Sequence, residues 1–254
     1  MQQSNQSPFD VRNRRLMEAK SRPEPSTSPC AACNIRHLTV CAALEGAELQ
    51  QLAEIVQNVE LEPGQPLFDE GERADFVFNV TAGCVKVYKL LPDGRRQVTG
   101  FLFAGDFLGL ANQDFYAFSA EAVSQAALCR FQRSKLEAAM ERFPQLEKRL
   151  LGVASHELAV AQEQMLLLGR KTAKERLASF LIKLSESAER RGQSKNPVRL
   201  PMTRADIGDY LGLTTETVSR VMTQLKGQGT IALLPNGQVE LRDLEKLEDL
   251  AGGY

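Results

Sequence analysis

The chain has 254 residues, 43% of them hydrophobic and 25% charged, with 31 Lys plus Arg against 32 Asp plus Glu. This composition excludes a collagen, a wholly disordered chain and a small disulfide-stapled scaffold, and a net charge of −1 singles out no partner. Five Cys are too few for a disulfide framework, and two His (His37 and His156) are too few for a His-rich metal centre.

No run reaches the ~18 apolar residues of a membrane span, so no membrane partner is expected. Residues 1–29 are polar, contain Pro23, Pro25 and Pro29, and lack the apolar core of a secretory signal. They read as a flexible arm, because they bury too little apolar surface to offset the entropy of ordering. The expectation is a cytoplasmic protein in a reducing compartment, where clustered cysteines more often mean metal or redox chemistry than disulfides.

A cysteine-rich segment, 30–44, follows, with Cys30, Cys33 and Cys41 at the spacing C-x2-C-x7-C. Three local thiolates plus a distant one make a ligand set that folding can complete. Four-cysteine sites hold tetrahedral zinc or an iron–sulfur cluster; the spacing does not separate the two, and unligated thiols remain an alternative. A lone C-x-x-C also suits a thioredoxin-like pair, but no βαβ pattern surrounds it. The fourth ligand lies between Cys84 and Cys129. Cys84 follows Gly83 and opens a strand with Val85, Val87 and Tyr88, so it reads first as a small buried hydrophobe. Cys129 closes the strand set shortly before a helical pattern, where a ligand would tie the N-terminal segment to the base of that helix.

Residues 45–135 read as a β-barrel domain. Leu49, Leu52, Ile55 and Val56 first recur at helical spacing. From Leu61, turn signals recur every ten to twelve residues, at Pro63-Gly64, Glu70-Gly71, Ala82-Gly83, Pro92-Asp93-Gly94 and Ala104-Gly105-Asp106. Short runs rich in Phe and Val lie between them, and the last strand is near Ala126 to Phe131. Short strands at this spacing indicate an antiparallel sandwich or barrel.

Residues 136–169 read as one long helix. Leu151, Ala154, Leu158, Ala161, Met165 and Leu168 are spaced 3, 4, 3, 4, 3, the a/d seam of a coiled coil, between polar flanks. The rival reading is a helix lying on the barrel. Ala154 and Ala161 permit close helix approach, which suits a homodimer about a twofold axis.

Residues 170–254 are mildly basic, with 14 Lys plus Arg against 11 Asp plus Glu. Thr203 and Asp206 make a capping pattern ahead of Ile207, Tyr210 and Leu211, and Gly212 ends that short helix. Thr214 caps a second helix holding Val218, Val221, Met222 and Leu225. The pair reads as a helix-turn-helix, and a hairpin around Asn236-Gly237 makes it winged. Thr215, Glu216, Ser219 and Arg220 are left over from packing near the start of the second helix, where such modules face the major groove of DNA. Glutamate accepts from a cytosine amino group and arginine is bidentate to guanine; the rival is an exposed i,i+4 Glu216–Arg220 salt bridge. No catalytic His, nucleophile elbow or phosphate loop is present, so no enzyme is expected.

Four runs carry a family resemblance: Leu61 to Glu72 at the barrel entry, Gly105 to Gly109 at its central turn, Lys174 to Leu181 in a linker helix, and Thr215 to Arg220 in the second helix. Together with the order of modules from Cys30 onward, they resemble the CRP/FNR superfamily of bacterial transcription regulators. The resemblance implies an α+β fold: a cyclic-nucleotide-binding-like β-barrel (jelly-roll), a long dimerisation helix and a C-terminal winged helix-turn-helix. The oxygen-sensing fumarate–nitrate regulators are the nearest branch, and the cysteine spacing is similar to its alphaproteobacterial variant. That branch implies a [4Fe–4S] cluster on Cys30, Cys33, Cys41 and Cys129, a palindromic operator resembling TTGAT-N4-ATCAA, and contact with RNA polymerase, for which the loop Leu91 to Arg96 is a candidate. Where the cyclic-nucleotide branch carries Gly-Glu-Leu and Arg-Ser, this chain has Gly109-Leu110-Ala111 and Phe118-Ser119, so tight cAMP binding is not expected. A family member with zinc or no metal, answering to another effector, is the alternative.

Overall fold

The computed structural model describes residues 30, 32–110 and 114–252. The expected arm, 1–29, and Ala111 lie outside the described residues. Two four-stranded antiparallel sheets face each other. The first has the order β1-β8-β3-β6 and the second β2-β7-β4-β5. Their strands are β1 (Val56–Leu61), β2 (Pro66–Phe68), β3 (Phe76–Ala82), β4 (Cys84–Leu90), β5 (Arg96–Phe103), β6 (Phe107–Leu108), β7 (Ser119–Ala122) and β8 (Ala126–Gln132).

Side chains alternate between faces of a strand, and that alternation sorts the molecule into layers. Leu61, Phe78, Val80 and Leu128 of the first sheet meet Phe68, Val85, Ala120 and Ala122 of the second to form the inner core. The outer face of the first sheet, with Val77 and Phe131, is covered by the cysteine-rich segment, by α1 (Gly46–Ala53) and by the helices after β8. The outer face of the second sheet, with Cys84 and Val98, packs into the core of the C-terminal module. Phe131 and Leu128 point to opposite sides of β8 and are both almost fully buried, each contributing about 2 kcal/mol of transfer free energy.

Two elements differ from the sequence expectation, while the expected hairpin around Asn236-Gly237 forms. Helix α1 stops at Ala53 and Val56 already belongs to β1, because the β1–β8 ladder takes it up. The single helix expected over 136–169 is two, α2 (Arg133–Arg142) and α3 (Pro144–Arg170), broken at Phe143. Pro144 occupies the first position of α3, and proline disfavours helical dihedrals in the residue before it; Phe143 accordingly sits at φ −126°, ψ 82°. The wing is joined by three residues, Pro235–Gly237, with positive φ at Asn236 and Gly237.

The C-terminal module begins with α4 (Ala173–Arg190), opened by a capping box between Thr172 and Glu175. Helices α5 (Arg204–Leu211) and α6 (Thr215–Gly227) follow. β9 (Val198–Arg199) pairs with β11 (Gln238–Leu241), which pairs with β10 (Ile231–Leu234). A last helix, α7 (Leu244–Ala251), lies on α4 and closes the core through Leu247; neither it nor β9 was expected from sequence. Among the described residues no helix is long and apolar enough to cross a membrane.

Candidate cysteine site and nucleic-acid interface

The segment carrying the first three cysteines is folded by short-range bonds. Thr39 caps the 3-10 turn Val40–Ala43 by accepting from the Cys41 N–H at 3.2 Å, and its hydroxyl donates to the Arg36 carbonyl at 2.9 Å. Leu38 presses on Gly105, which has φ +101°. A Cβ at Gly105 would lie 2.7 Å from the Leu38 Cβ, so only glycine lets the strap lie down there. Arg149 of α3 donates to the Leu38 carbonyl at 3.2 Å, and Gln145 donates to Glu48 at 2.9 Å. The strap is thereby fixed to the first half of α3.

Cys30, Cys33, Cys41 and Cys129 line one cavity of about 280 Å³, together with Asn58 and Asn79. Cys129 stands in the middle of the first sheet, paired with Asn58 of β1 on one side and Asn79 of β3 on the other. Its thiol donates to Asn58 Oδ1 at 3.9 Å. Asn79 Nδ2 donates to Cys41 Sγ at 3.8 Å. Burial, with the neighbouring thiols adding to it, pushes Cys41 up to about 11 and Cys129 up to about 12. Metal-free, these groups are thiols at neutral pH, so any metal they take up displaces protons. Among the described residues no three His, Cys, Asp or Glu side chains converge tightly enough for a single metal ion; the four thiols ring a space. Cys84 is elsewhere, 1% exposed in the core between the second sheet and the C-terminal module, and burial raises its thiol strongly.

The second candidate surface is α6. Gly212 ends α5 in the left-handed region (φ +63°), and Thr214 then caps α6 by accepting from the Thr217 N–H. Val218, Val221, Met222 and Leu225 are buried, which leaves Thr215, Glu216, Ser219 and Arg220 exposed. Arg220 Nη2 donates to Thr217 Oγ1 at 3.4 Å; among the described residues no Glu216–Arg220 ion pair forms. The Glu216 carboxyl is held below the usual range by its own backbone N–H and the Thr214 hydroxyl, so it stays an acceptor.

A polar network unforeseen from sequence joins the second sheet to α5. Lys86 Nζ lies 2.9 Å from Asp206 Oδ1 and 2.8 Å from Glu121. Arg96 bonds Asp206 at 3.0 Å and Asp209 at 2.9 Å. Asp206 is also the third residue of the expected capping box with Thr203, whose two bonds are both made. Phe101, Phe180 and Tyr210 pack ring on ring beside it.

Along α3, Leu151, Leu158 and Met165 are 67%, 61% and 64% exposed, seven residues apart. Ala161 is exposed with them, Ala154 is half-buried, and Leu168 is spent on the core of the C-terminal module.

Residues 58–143 match the cyclic nucleotide-binding domain, and residues 175–250 match the Crp-like helix-turn-helix domain. The chain is 41% identical to the transcriptional activatory protein AadR of Rhodopseudomonas palustris over 86% of its length and 91% of the relative's. The chain belongs to the CRP/FNR family. It is also 39% identical to the transcriptional activator protein FnrL of Cereibacter sphaeroides, over 88% of this chain and 92% of that one. The structure of FixK2 from Bradyrhizobium japonicum superposes with a TM-score of 0.72 at 39% identity, covering 77% of this chain and 97% of that one. As members of this family are DNA-binding transcription regulators, this regulator is not an enzyme.

Proposed function

We propose that this regulator is an oxygen-responsive transcription activator that holds a [4Fe–4S] cluster on Cys30, Cys33, Cys41 and Cys129 and binds a TTGAT-N4-ATCAA-like palindrome as a homodimer in the cytoplasm. The observation that carries the reading is the shared cavity: folding brings the fourth thiol, 88 positions from Cys41, to the three local ones. Four cysteine thiols are the donor set of a [4Fe–4S] cluster and also of a structural zinc ion, and metal analysis separates the two. A bound cluster would supply an oxygen-labile link between the strap and the barrel.

The chain's own residues explain how such a link would matter. Cys129 is four residues before α2, and Leu146 of α3 packs in the same cluster as Cys41 and Phe131. Fixing the strap therefore fixes the first half of α3, a helix that carries the exposed Leu151, Leu158 and Met165 along its length. A second copy would cover those residues. The dimer would place two α6 helices one DNA turn apart, as a palindrome requires. The coupling is a population shift, in which the loaded strap favours the paired form. Contact with RNA polymerase is expected from the family. Of its candidate loop, Arg96 is already engaged with Asp206 and Asp209, while Leu91 is exposed. Phe118 stands where a cyclic phosphate would need arginine and lies under Lys89 at 5.3 Å, so tight cAMP binding is not expected.

Anaerobically purified protein is expected to contain about four irons and four acid-labile sulfides per chain, with visible absorbance that bleaches in air. Zinc alone, or no metal, would remove oxygen as the signal while leaving DNA recognition in place. At the other site, Arg220→Ala should cost about 1–3 kcal/mol at the G·C pair it reads. An equal loss on every sequence would make Arg220 a phosphate contact instead.

A further inference from the structure

Asparagine is depleted in strand interiors, because its side-chain amide competes with the ladder and packs poorly. Yet the row of the first sheet at the level of Cys129 reads Asn58, Cys129, Asn79. Asn79 is 1% exposed. Its Nδ2 donates to Cys41 Sγ, while its Oδ1 has no hydrogen-bond partner among the described residues. A buried carbonyl left unsatisfied opposes folding, and an apolar residue of the same shape would relieve it. Folding alone gives no reason for an amide at this position.

We infer that Asn79 is a positioning residue for the group held by the four cysteines: its N–H fixes the Cys41 sulfur and tunes that sulfur's electron density. The inference rests on the cluster reading of the site. A hydrogen bond donated to a ligating sulfur withdraws charge from it, and such bonds are one of the levers that set cluster reduction potentials. Residues that orient metal ligands from behind typically change metal retention by about 10–100-fold when replaced. Asn79 serves Cys41 and, through the β3–β8 register, stands beside Cys129, so one amide reaches the junction between strap and barrel.

The experiment compares the full-length protein with its Asn79→Leu variant, both loaded anaerobically with iron and sulfide. Three quantities are read: iron loss to a chelator in the absence of oxygen, the reduction potential, and the melting temperature of the metal-free form. The variant is expected to load, to lose iron about tenfold faster, to shift to a lower potential, and to melt no lower than the parent when metal-free. Equal iron loss and equal potential would overturn the inference, and so would a clearly lower metal-free melting temperature, which would make the amide structural. A parent protein that takes up no iron and sulfide would instead sink the cluster reading, and with it this role; a loaded parent matched by its variant sinks the role alone.

Discussion

Replacing Cys129 by Ser is expected to leave a folded chain that no longer binds operator DNA tightly in the absence of oxygen. The substitution removes one sulfur from the wall of a cavity and disturbs no inner-core contact, since Cys129 faces the strap while Leu128 and Ala126 face the second sheet. Without that thiol the strap keeps Cys30, Cys33 and Cys41, but the proposed cluster would no longer tie it to β8. The remaining hold consists of surface bonds such as Arg149 to Leu38 and apolar contacts around Val40 and Leu44. Anaerobic affinity for the palindrome should fall by about 100-fold, near the upper end of allosteric coupling between two sites. Circular dichroism and metal-free melting should be unchanged. Tight binding by the iron-poor variant would remove Cys129 from the ligand set. Cys84→Ser is the contrasting variant: it alters the core under the C-terminal module and should leave iron content at the parent level.

Asp206→Ala is expected to loosen the C-terminal module from the second sheet. The carboxylate and Lys86 each have side chains only 7% exposed, in the middle of the network with Arg96 and Asp209. Breaking a buried ion pair costs about 3–5 kcal/mol, and loss of a helix cap adds about 1. A total of about 3 kcal/mol, below that sum, is expected here, because Glu121 still partners Lys86 and Asp209 still partners Arg96. Urea unfolding should register this as a lower midpoint, and an unchanged midpoint would show that the domains are held by the Phe101–Phe180–Tyr210 stack alone. The pH dependence follows from the carboxyl group. Burial works against its ionised form, but hydrogen bonds from Thr203 and Lys86 more than offset this, and it titrates below its ordinary value. A depressed carboxyl contributes stability above its unfolded-state pKa, about 3.9, and loses it as pH falls through the folded-state value. The gap between parent and variant should therefore be constant from pH 5 to 8 and close only below about pH 4.

The parts of this molecule that could be read from sequence are those made by near neighbours. Thr203 with Asp206, Gly212 and Thr214 with Thr217 are caps set within three or four residues, and each forms as the local pattern predicts. The cysteine spacing likewise marks the strap. The positions that join distant segments were not legible. Asn79 meets Cys41 across 38 residues and Lys86 meets Asp206 across 120; strand register and domain docking decide those meetings, and neither is written in local periodicity. Asn79 did leave a trace, as an asparagine inside the mostly apolar strand run Phe76–Ala82. The break at Phe143 was signalled by the proline that follows it, since Pro144 suits a first helical turn and opens α3.

The 27 residues of helix α3 extend about 40 Å. Leu146 at one end sits in the cluster around the strap, and Leu167 near the other sits in the core of the DNA-binding module. The helix thus joins the two clusters and would act as a shaft with a bearing at each end. A close-packed sandwich transmits little movement through its thickness, whereas a rigid rod turned slightly at one bearing turns at the other. Torque applied at the cysteines would reach the DNA-reading helix along this axle, without any strand having to slide.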